Sequence, residues 1–330
     1  MNWQLESVAD QVMKKGNESR AMNNTKVKAA EHYRGVVVPM VTPITPQGDL
    51  DEAAARRIID HMIAGGVDGV FVLGTTGEAN SVPRTMRLRL VTLAVEQAQE
   101  RVRVYAGISD NCLAHSIEAA FEYSRLGIDA LVAHLPSYYA LGAQEMLAYY
   151  RKLADSIPAP LLVYNIPQTT HMSLPVEVIE QLSSHPNIVG LKDSENDPLR
   201  LEGVMSRLGG RSDFSILIGA AALTAKGLAL GADGSVPSGG NLVPEIWSAL
   251  YKAAKEGNHS KATEYQQQAD QFSAIYQRSR FARRSIPALK AAMGALGLCG
   301  PDVLPPLLPL TEAEQADVRD EFHMLKVGVY

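Results

Sequence analysis

The sequence predicts a (β/α)8 barrel of the α/β class with a C-terminal helical extension. Three observations carry that expectation. Apolar runs of strand length alternate with helix-length runs, giving eight candidate strands between residues 36 and 237. Most of these runs are Val, Ile, Leu and Ala without strict polar alternation, as expected where helices cover one side of a sheet and a core fills the other. The segments Gly66-Val67-Asp68-Gly69, Gly127-Ile128-Asp129-Ala130 and Gly231-Ala232-Asp233-Gly234 mark the same helix-to-strand turn three times. An eighth strand, and a chain without a Gly-x-Gly-x-x-Gly loop, favour the closed barrel over an open doubly wound sheet.

The elements follow in order. Residues 1–30 are polar, weakly patterned and broken by Asn23-Asn24-Thr25, so they are expected to form an arm ahead of the barrel, which occupies 31–244. The first strand is 36–40, running into the loop Val41-Thr42-Pro43. Residues 51–64 make a helix with Ala55, Ile58, Ile59, Met62 and Ile63 on one side. Gly65-Gly66 stops it, because glycine accepts the left-handed backbone that follows a last turn. Further strands are expected at 68–73, 102–107, 129–134, 160–165, 187–192, 214–218 and 233–237. Helices are expected near 84–99, 112–126, 143–156, 175–184, 198–208 and 220–230. Beyond 244 the pattern is helical, with segments at 245–256, 259–279 and 287–297. After Pro305-Pro306 and Pro309 a last helix is expected at 311–325. This region, 245–330, has too few strands for a second α/β unit and is expected to pack on the barrel or on a neighbouring subunit.

Composition narrows the class of partner. Of 330 residues, 46% are hydrophobic and 20% charged, an ordinary balance for a protein of enzyme size. A net charge of -5, with no basic patch interleaved with aromatics, argues against a nucleic-acid role. The one basic cluster, Arg278, Arg280, Arg283 and Arg284, has helical spacing and suits a solvated face or subunit contact, with an anionic ligand site as the alternative. Cys112 and Cys299 neither require nor exclude a disulfide, and no Cys/His grouping has zinc-site spacing. The first 25 residues hold no secretory apolar stretch, and no run is long enough to span a bilayer, so the expected location is the cytoplasm, away from membranes.

Barrel active sites lie at the C-terminal ends of the strands. That places Thr75, Thr76, Tyr164 and Lys192 on the catalytic side. Strand alternation puts residues 188, 190 and 192 on one face, and 160, 162 and 164 likewise, so Lys192 and Tyr164 can both point into the barrel mouth. An ordinary lysine, with a pKa of about 10.4, is an ammonium at neutral pH and cannot attack a carbonyl. Burial can bring that value down by roughly three to five pH units. The neutral amine then condenses with a 2-oxo acid, and the iminium draws electrons from the adjacent carbon. Tyr164 can carry the protons this chemistry moves. Gly74-Thr75-Thr76-Gly77-Glu78 offers hydroxyls and N–H groups suited to a carboxylate. Each feature has a plainer alternative: a salt bridge from Lys192 to Asp193 or Glu195, a core tyrosine, and a tight turn closed by threonines.

Together these segments resemble a known family. Gly74-Thr75-Thr76-Gly77-Glu78, Pro136-Ser137-Tyr138-Tyr139, Tyr164-Asn165-Ile166-Pro167 and Gly190-Leu191-Lys192-Asp193 are similar to the Schiff-base-forming pyruvate aldolases and lyases typified by dihydrodipicolinate synthase and N-acetylneuraminate lyase. The resemblance runs from Gly35 to Gly300. It implies that Lys192 forms the imine, that Tyr164 relays protons, and that Thr75 and Thr76 hold the pyruvate carboxylate and link the relay. It also implies that Tyr138 completes the relay in a neighbouring subunit's site, and that Gly219 and Val236 line the pyruvate pocket. A homo-oligomer, tetramer or dimer, follows from the same resemblance.

One departure argues against the lysine-pathway synthase itself. Where that enzyme carries an arginine to grip its second substrate's carboxylate, this chain has Thr169, within Gln168-Thr169-Thr170-His171. His171 stands where glycine is usual. Thr169, Thr170 and His171 are therefore candidate substrate-reading residues for a polyhydroxylated or aromatic aldehyde. The expected activity is metal-independent, cofactor-free cleavage of a 2-oxo acid, such as a 2-oxo-3-deoxy sugar acid, to pyruvate and an aldehyde through the covalent imine on Lys192. Dehydration of a 2-oxo-3-deoxy acid through the same imine is the alternative. A synthase-like condensation and a non-catalytic barrel stand behind it.

Overall fold

The structure, a computed structural model, describes residues 29–278 and 282–329. Eight parallel strands close into a barrel: β1 (Gly35–Pro39), β2 (Gly69–Val72), β3 (Arg103–Gly107), β4 (Ala130–His134), β5 (Leu161–Asn165), β6 (Ile188–Asp193), β7 (Ser215–Ile218) and β8 (Gly234–Ser235), with β8 pairing back onto β1. Helices connect successive strands around the outside, and four more, from Pro244 to Val329, form the C-terminal extension. The expected arm lies outside the described residues as far as residue 28. Ala29, by contrast, begins the short helix Ala29–His32 and, with Tyr33, packs into the cluster that fills the barrel interior.

The thrice-repeated Gly-x-Asp turn has a mechanical explanation. Gly66, Gly127 and Gly231 adopt positive φ values of 78°, 92° and 99°, which end one element and aim the chain at the next strand. Each following aspartate then accepts the N–H of the preceding strand's second residue in the barrel floor: Asp68 from Val36, Asp129 from Val104 and Asp233 from Ile216, all at 2.8 Å. The motif therefore clamps β2 to β1, β4 to β3 and β8 to β7.

Several boundaries differ from the sequence expectation, each for a local reason. The strand expected at 233–237 is only two residues long, because Pro237 has no N–H and the chain turns into a 3-10 helix at Ser238–Asn241. The helix expected at 220–230 opens as a 3-10 turn, Ala221–Leu223, before Thr224–Ala229. Pro167 starts a one-turn helix, Pro167–Thr170, between the strand expected at 160–165 and the helix expected at 175–184. The third C-terminal helix begins at Ala282 and holds Pro287 inside it instead of starting there. The expected face 188-190-192 is also corrected. The β5–β6 register slips between Leu161 and Leu162, so Val189 joins the interior cluster while Ile188 faces the surrounding helices. Beyond the slip, Tyr164 and Lys192 are register partners.

The C-terminal extension reaches the barrel mouth through one ion pair. Lys290 Nζ lies 2.5 Å from Glu78 Oε1, and neither side chain is exposed. Lys290 also donates to the Asp302 carbonyl at 2.7 Å, and Leu304 N donates to Glu78 Oε2 at 2.8 Å. Removing one partner leaves an uncompensated charge in the interior, which costs about 3–5 kcal/mol. Glu78→Gln and Lys290→Met are each expected to lower the unfolding free energy, read by denaturant titration, by that order, and the double variant is expected to recover most of the loss. Additive losses in the double variant would show that the two charges do not depend on each other.

Candidate active site

Lys192 and Tyr164 stand at the tips of β6 and β5, each only 4% exposed. Lys192 Nζ sits 3.8 Å from the centroid of the Tyr164 ring and 4.8 Å from that of Phe71. Burial among these rings lowers the pKa of the amine from its ordinary value, and the Tyr164 phenol opposes that shift. Among the described residues no carboxylate pairs with Lys192. The two acids that could have done so belong to Arg200: its Nε lies 2.9 Å from Asp193 Oδ2 and 3.2 Å from Glu195 Oε2. Asn165 joins this network, donating to Asp193 Oδ1 at 2.8 Å and Glu195 Oε2 at 3.0 Å, and its own oxygen accepts Leu174 N–H at 2.9 Å.

Alternation along the strands explains this division. Asn165 and Asp193 are register partners one residue beyond Tyr164 and Lys192, so the charged network falls outside the barrel while the amine and phenol fall inside. Behind β4 and β5, Tyr150 donates its hydroxyl to the Ala133 and Tyr164 carbonyls at 3.1 and 3.4 Å.

A cavity of about 660 Å³ opens over the amine. It brings together Lys192, Tyr164, Thr75, Thr76, Thr169, Gly219 and Val236 from the residues expected of the site. Gly219 has a steric reason to be glycine: a Cβ there would meet Ser194 Oγ at 2.1 Å. The Thr75-Thr76 turn lies between two non-glycine residues at positive φ, Leu73 at 60° and Glu78 at 55°, and strain of this kind is held only where surrounding contacts impose it. Glu78 is fixed by Lys290, and the Gly77 carbonyl accepts the Thr42 hydroxyl at 2.6 Å.

Three expected residues stand apart from that cavity. Thr170 is buried, with its hydroxyl directed to the Ile166 and Met172 carbonyls at 3.0 and 3.1 Å, so it closes the Pro167–Thr170 turn. His171 caps that turn at φ 59°, the left-handed conformation that glycine adopts freely, with its side chain exposed. Tyr138 is 79% exposed beside Tyr139, and its backbone N–H is held by Asn111 Oδ1 at 3.1 Å. Of the basic cluster, Arg278 pairs with Glu321 at 2.8 Å and Arg284 with Glu314, while Arg283 lies at the rim of the large cavity. Arg280 falls outside the described residues. Sequence reasoning missed Phe71 and His134, which line the same mouth. Their strand-end positions were the available signal.

Residues 32–324 match the model of the dihydrodipicolinate synthetase family. The chain belongs to that family. A 4-hydroxy-tetrahydrodipicolinate synthase of Phenylobacterium zucineum is 33% identical over 286 residues, spanning 87% of this chain and 95% of the relative. The Escherichia coli protein named putative 2-dehydro-3-deoxy-D-gluconate aldolase YagE is 29% identical over 301 residues, 89% of this chain and 98% of its own. Its crystal structure, in complex with pyruvate, superposes with a TM-score of 0.84 over 89% of this chain and 99% of that one. The dihydrodipicolinate synthase of Bacteroides thetaiotaomicron does so with a TM-score of 0.83 at 32% identity, over 88% and 98%. Membership makes this chain an enzyme of the Schiff-base aldolase and lyase class. Among the described residues, no three His, Cys, Asp or Glu side chains are grouped to hold a metal, both cysteines are free, and no helix is long and apolar enough to cross a membrane.

The lowered pKa of Lys192 has a definite sign. The free amine is the reactive form, so reactivity rises with pH through the lysine's own pKa, and here that rise lies below the ordinary 10.5. Competitive acetylation with acetic anhydride, read by peptide mass, is expected to show Lys192 reaching half its limiting reactivity at lower pH than an ordinary lysine. A rise at or above 10.5 would contradict the burial argument.

Proposed function

We propose that this enzyme reversibly cleaves a 2-oxo acid of the 2-oxo-3-deoxy class to pyruvate and an aldehyde through an imine on Lys192. The observation that carries the reading is a buried amine over the Tyr164 ring with no carboxylate beside it among the described residues. In this reading Thr75 and Thr76, at the cavity wall, hold the substrate carboxylate, and Lys192 adds to the 2-oxo carbon. Loss of water gives the iminium. Tyr164, against the amine, shuttles the proton of the carbinolamine and later that of the 4-hydroxyl as the C3–C4 bond breaks. The enamine takes a proton at C3, and water releases pyruvate from Lys192. Gly219 and Val236 give the pyruvate methyl a close-fitting wall.

Thr169 lines the cavity where the lysine-pathway synthase places an arginine, and a threonine hydroxyl cannot form the paired bonds of a guanidinium to a carboxylate. Aspartate semialdehyde is therefore not the partner in this proposal. YagE, named for a 2-dehydro-3-deoxy-D-gluconate aldolase, supports the sugar-acid reading. Tyr138 and Tyr139, adjacent and exposed at 79% and 72%, suit a contact in which a second copy of the chain receives Tyr138 at its site, within a dimer or tetramer.

The test is intact mass after incubation with pyruvate and borohydride. The reduced imine is expected to add about 72 Da per chain, and Lys192→Ala to abolish it. A folded native protein that gains no mass would overturn the reading. With 2-oxo-3-deoxy acids, released pyruvate identifies cleavage, and an uncleaved dehydrated product would instead identify the dehydratase chemistry that shares the imine. Tyr164→Phe is expected to lower kcat by about 10²–10⁴ while leaving folding intact, as loss of a proton-transfer group does.

A further inference from the structure

Beside Tyr164, on the side that His134 lines, the mouth extends into a second cavity of about 210 Å³. The two cavities share Thr75, Tyr164 and Thr169 in their walls, so they adjoin at the barrel mouth. The smaller one holds a side chain that the proposed chemistry does not use. His134 ends β4 in register with Tyr164, with the two ring centroids 6.1 Å apart. Its Nδ1 lies 2.8 Å from the Leu135 carbonyl oxygen. A carbonyl only accepts, so Nδ1 carries the proton and Nε2 presents a lone pair. Burial lowers the ring's pKa from its ordinary value, which favours the neutral form, and the Leu135 bond opposes that shift. The neighbouring Ser109 accepts the His134 backbone N–H at 2.9 Å, which leaves the serine O–H to donate. Glu78, the carboxylate on this wall, is held by Lys290.

The cavity wall therefore offers a lone pair from His134 and an O–H from Ser109, and one kind of group can bond to either. A carboxylate or an aldehyde oxygen only accepts and would face the Nε2 lone pair unfavourably. An aryl or alkyl group would leave both partners without a bond. An alcohol donates and accepts at one oxygen.

We propose that the smaller cavity is the subsite for the part of the substrate beyond the cleaved bond, and that His134 Nε2 accepts a hydrogen bond from a hydroxyl there. This rests on the reading that Lys192 forms a pyruvate imine, and it selects a hydroxylated aldehyde over an unsubstituted aromatic one. A volume of about 210 Å³ limits that part to a short chain.

The test compares 4,5-dihydroxy-2-oxopentanoate with 4-hydroxy-2-oxopentanoate, which differ by one hydroxyl past the cleaved bond. The native enzyme is expected to favour the dihydroxy acid by about tenfold or more in kcat/KM, the order of one hydrogen bond. His134→Leu is expected to erase that preference while the borohydride-trapped pyruvate adduct still forms. His134→Gln, whose Oε1 can accept in place of Nε2, is expected to keep part of it. The inference is overturned if the native enzyme shows no preference, or if the adduct forms in His134→Leu and the preference survives. It is equally overturned if His134→Leu, and His134→Gln with it, lose both substrates alike. Absence of the adduct in the native protein is a different result, and overturns the imine reading on which this one stands.

Discussion

A lysine that must act as an amine cannot sit beside a free carboxylate, because the negative charge would restore its proton. The barrel mouth of this enzyme is organised around that constraint. Three acidic side chains lie close by in or beside the sequence motifs, and each is tied to a cation other than Lys192. Asp193 and Glu195 are bound by Arg200 on the outside of the barrel, and Glu78 by Lys290 in the interior. Among the described residues, Lys192 is left against the aromatic rings of Tyr164 and Phe71. Burial can then act on the amine without an opposing ion pair.

The strand pair β5–β6 turns that constraint into geometry. One register step separates the inward pair, Tyr164 and Lys192, from the outward pair, Asn165 and Asp193. A shift of a single residue would exchange them, placing the acid in the barrel and the amine outside. The Asn165–Asp193 bond, at 2.8 Å, spans the two strands at that point and helps to hold the register. The C-terminal extension contributes at longer range, since Lys290 fixes the turn whose threonines face the cavity. The helical region is therefore part of the barrel mouth's architecture as well as a cover for the barrel.

The barrel was legible in the sequence because its signals are local. The Gly-x-Asp turns repeat, the apolar runs have strand length, and each proline or glycine acts on its neighbours. Lys192, Tyr164, Thr75 and Thr76 were legible for the same reason, as strand-end residues in recognisable segments. The less legible features depend on distant partners. Nothing in the sequence near Glu78 announces Lys290, more than 200 positions away, and Arg200 could have been read as a solvated helix residue. The slip in β6 breaks a perfect alternation that sequence alone favours. Thr170 looked available because its hydroxyl's acceptors are backbone carbonyls, which carry no sequence signature. His134 was missed although it ends a strand, and only the Leu135 carbonyl fixes which of its nitrogens can accept.

The most direct measurement is the titration of Lys192 itself, followed by NMR of ¹³Cε-labelled lysine in the native enzyme and in Arg200→Met. If the diversion of carboxylates keeps the amine neutral, the native Lys192 resonance will titrate below an ordinary lysine. Releasing Asp193 and Glu195 from Arg200 will then move that titration to higher pH. A Lys192 signal that titrates with the ordinary lysines, or that is unmoved by Arg200→Met, would contradict the account.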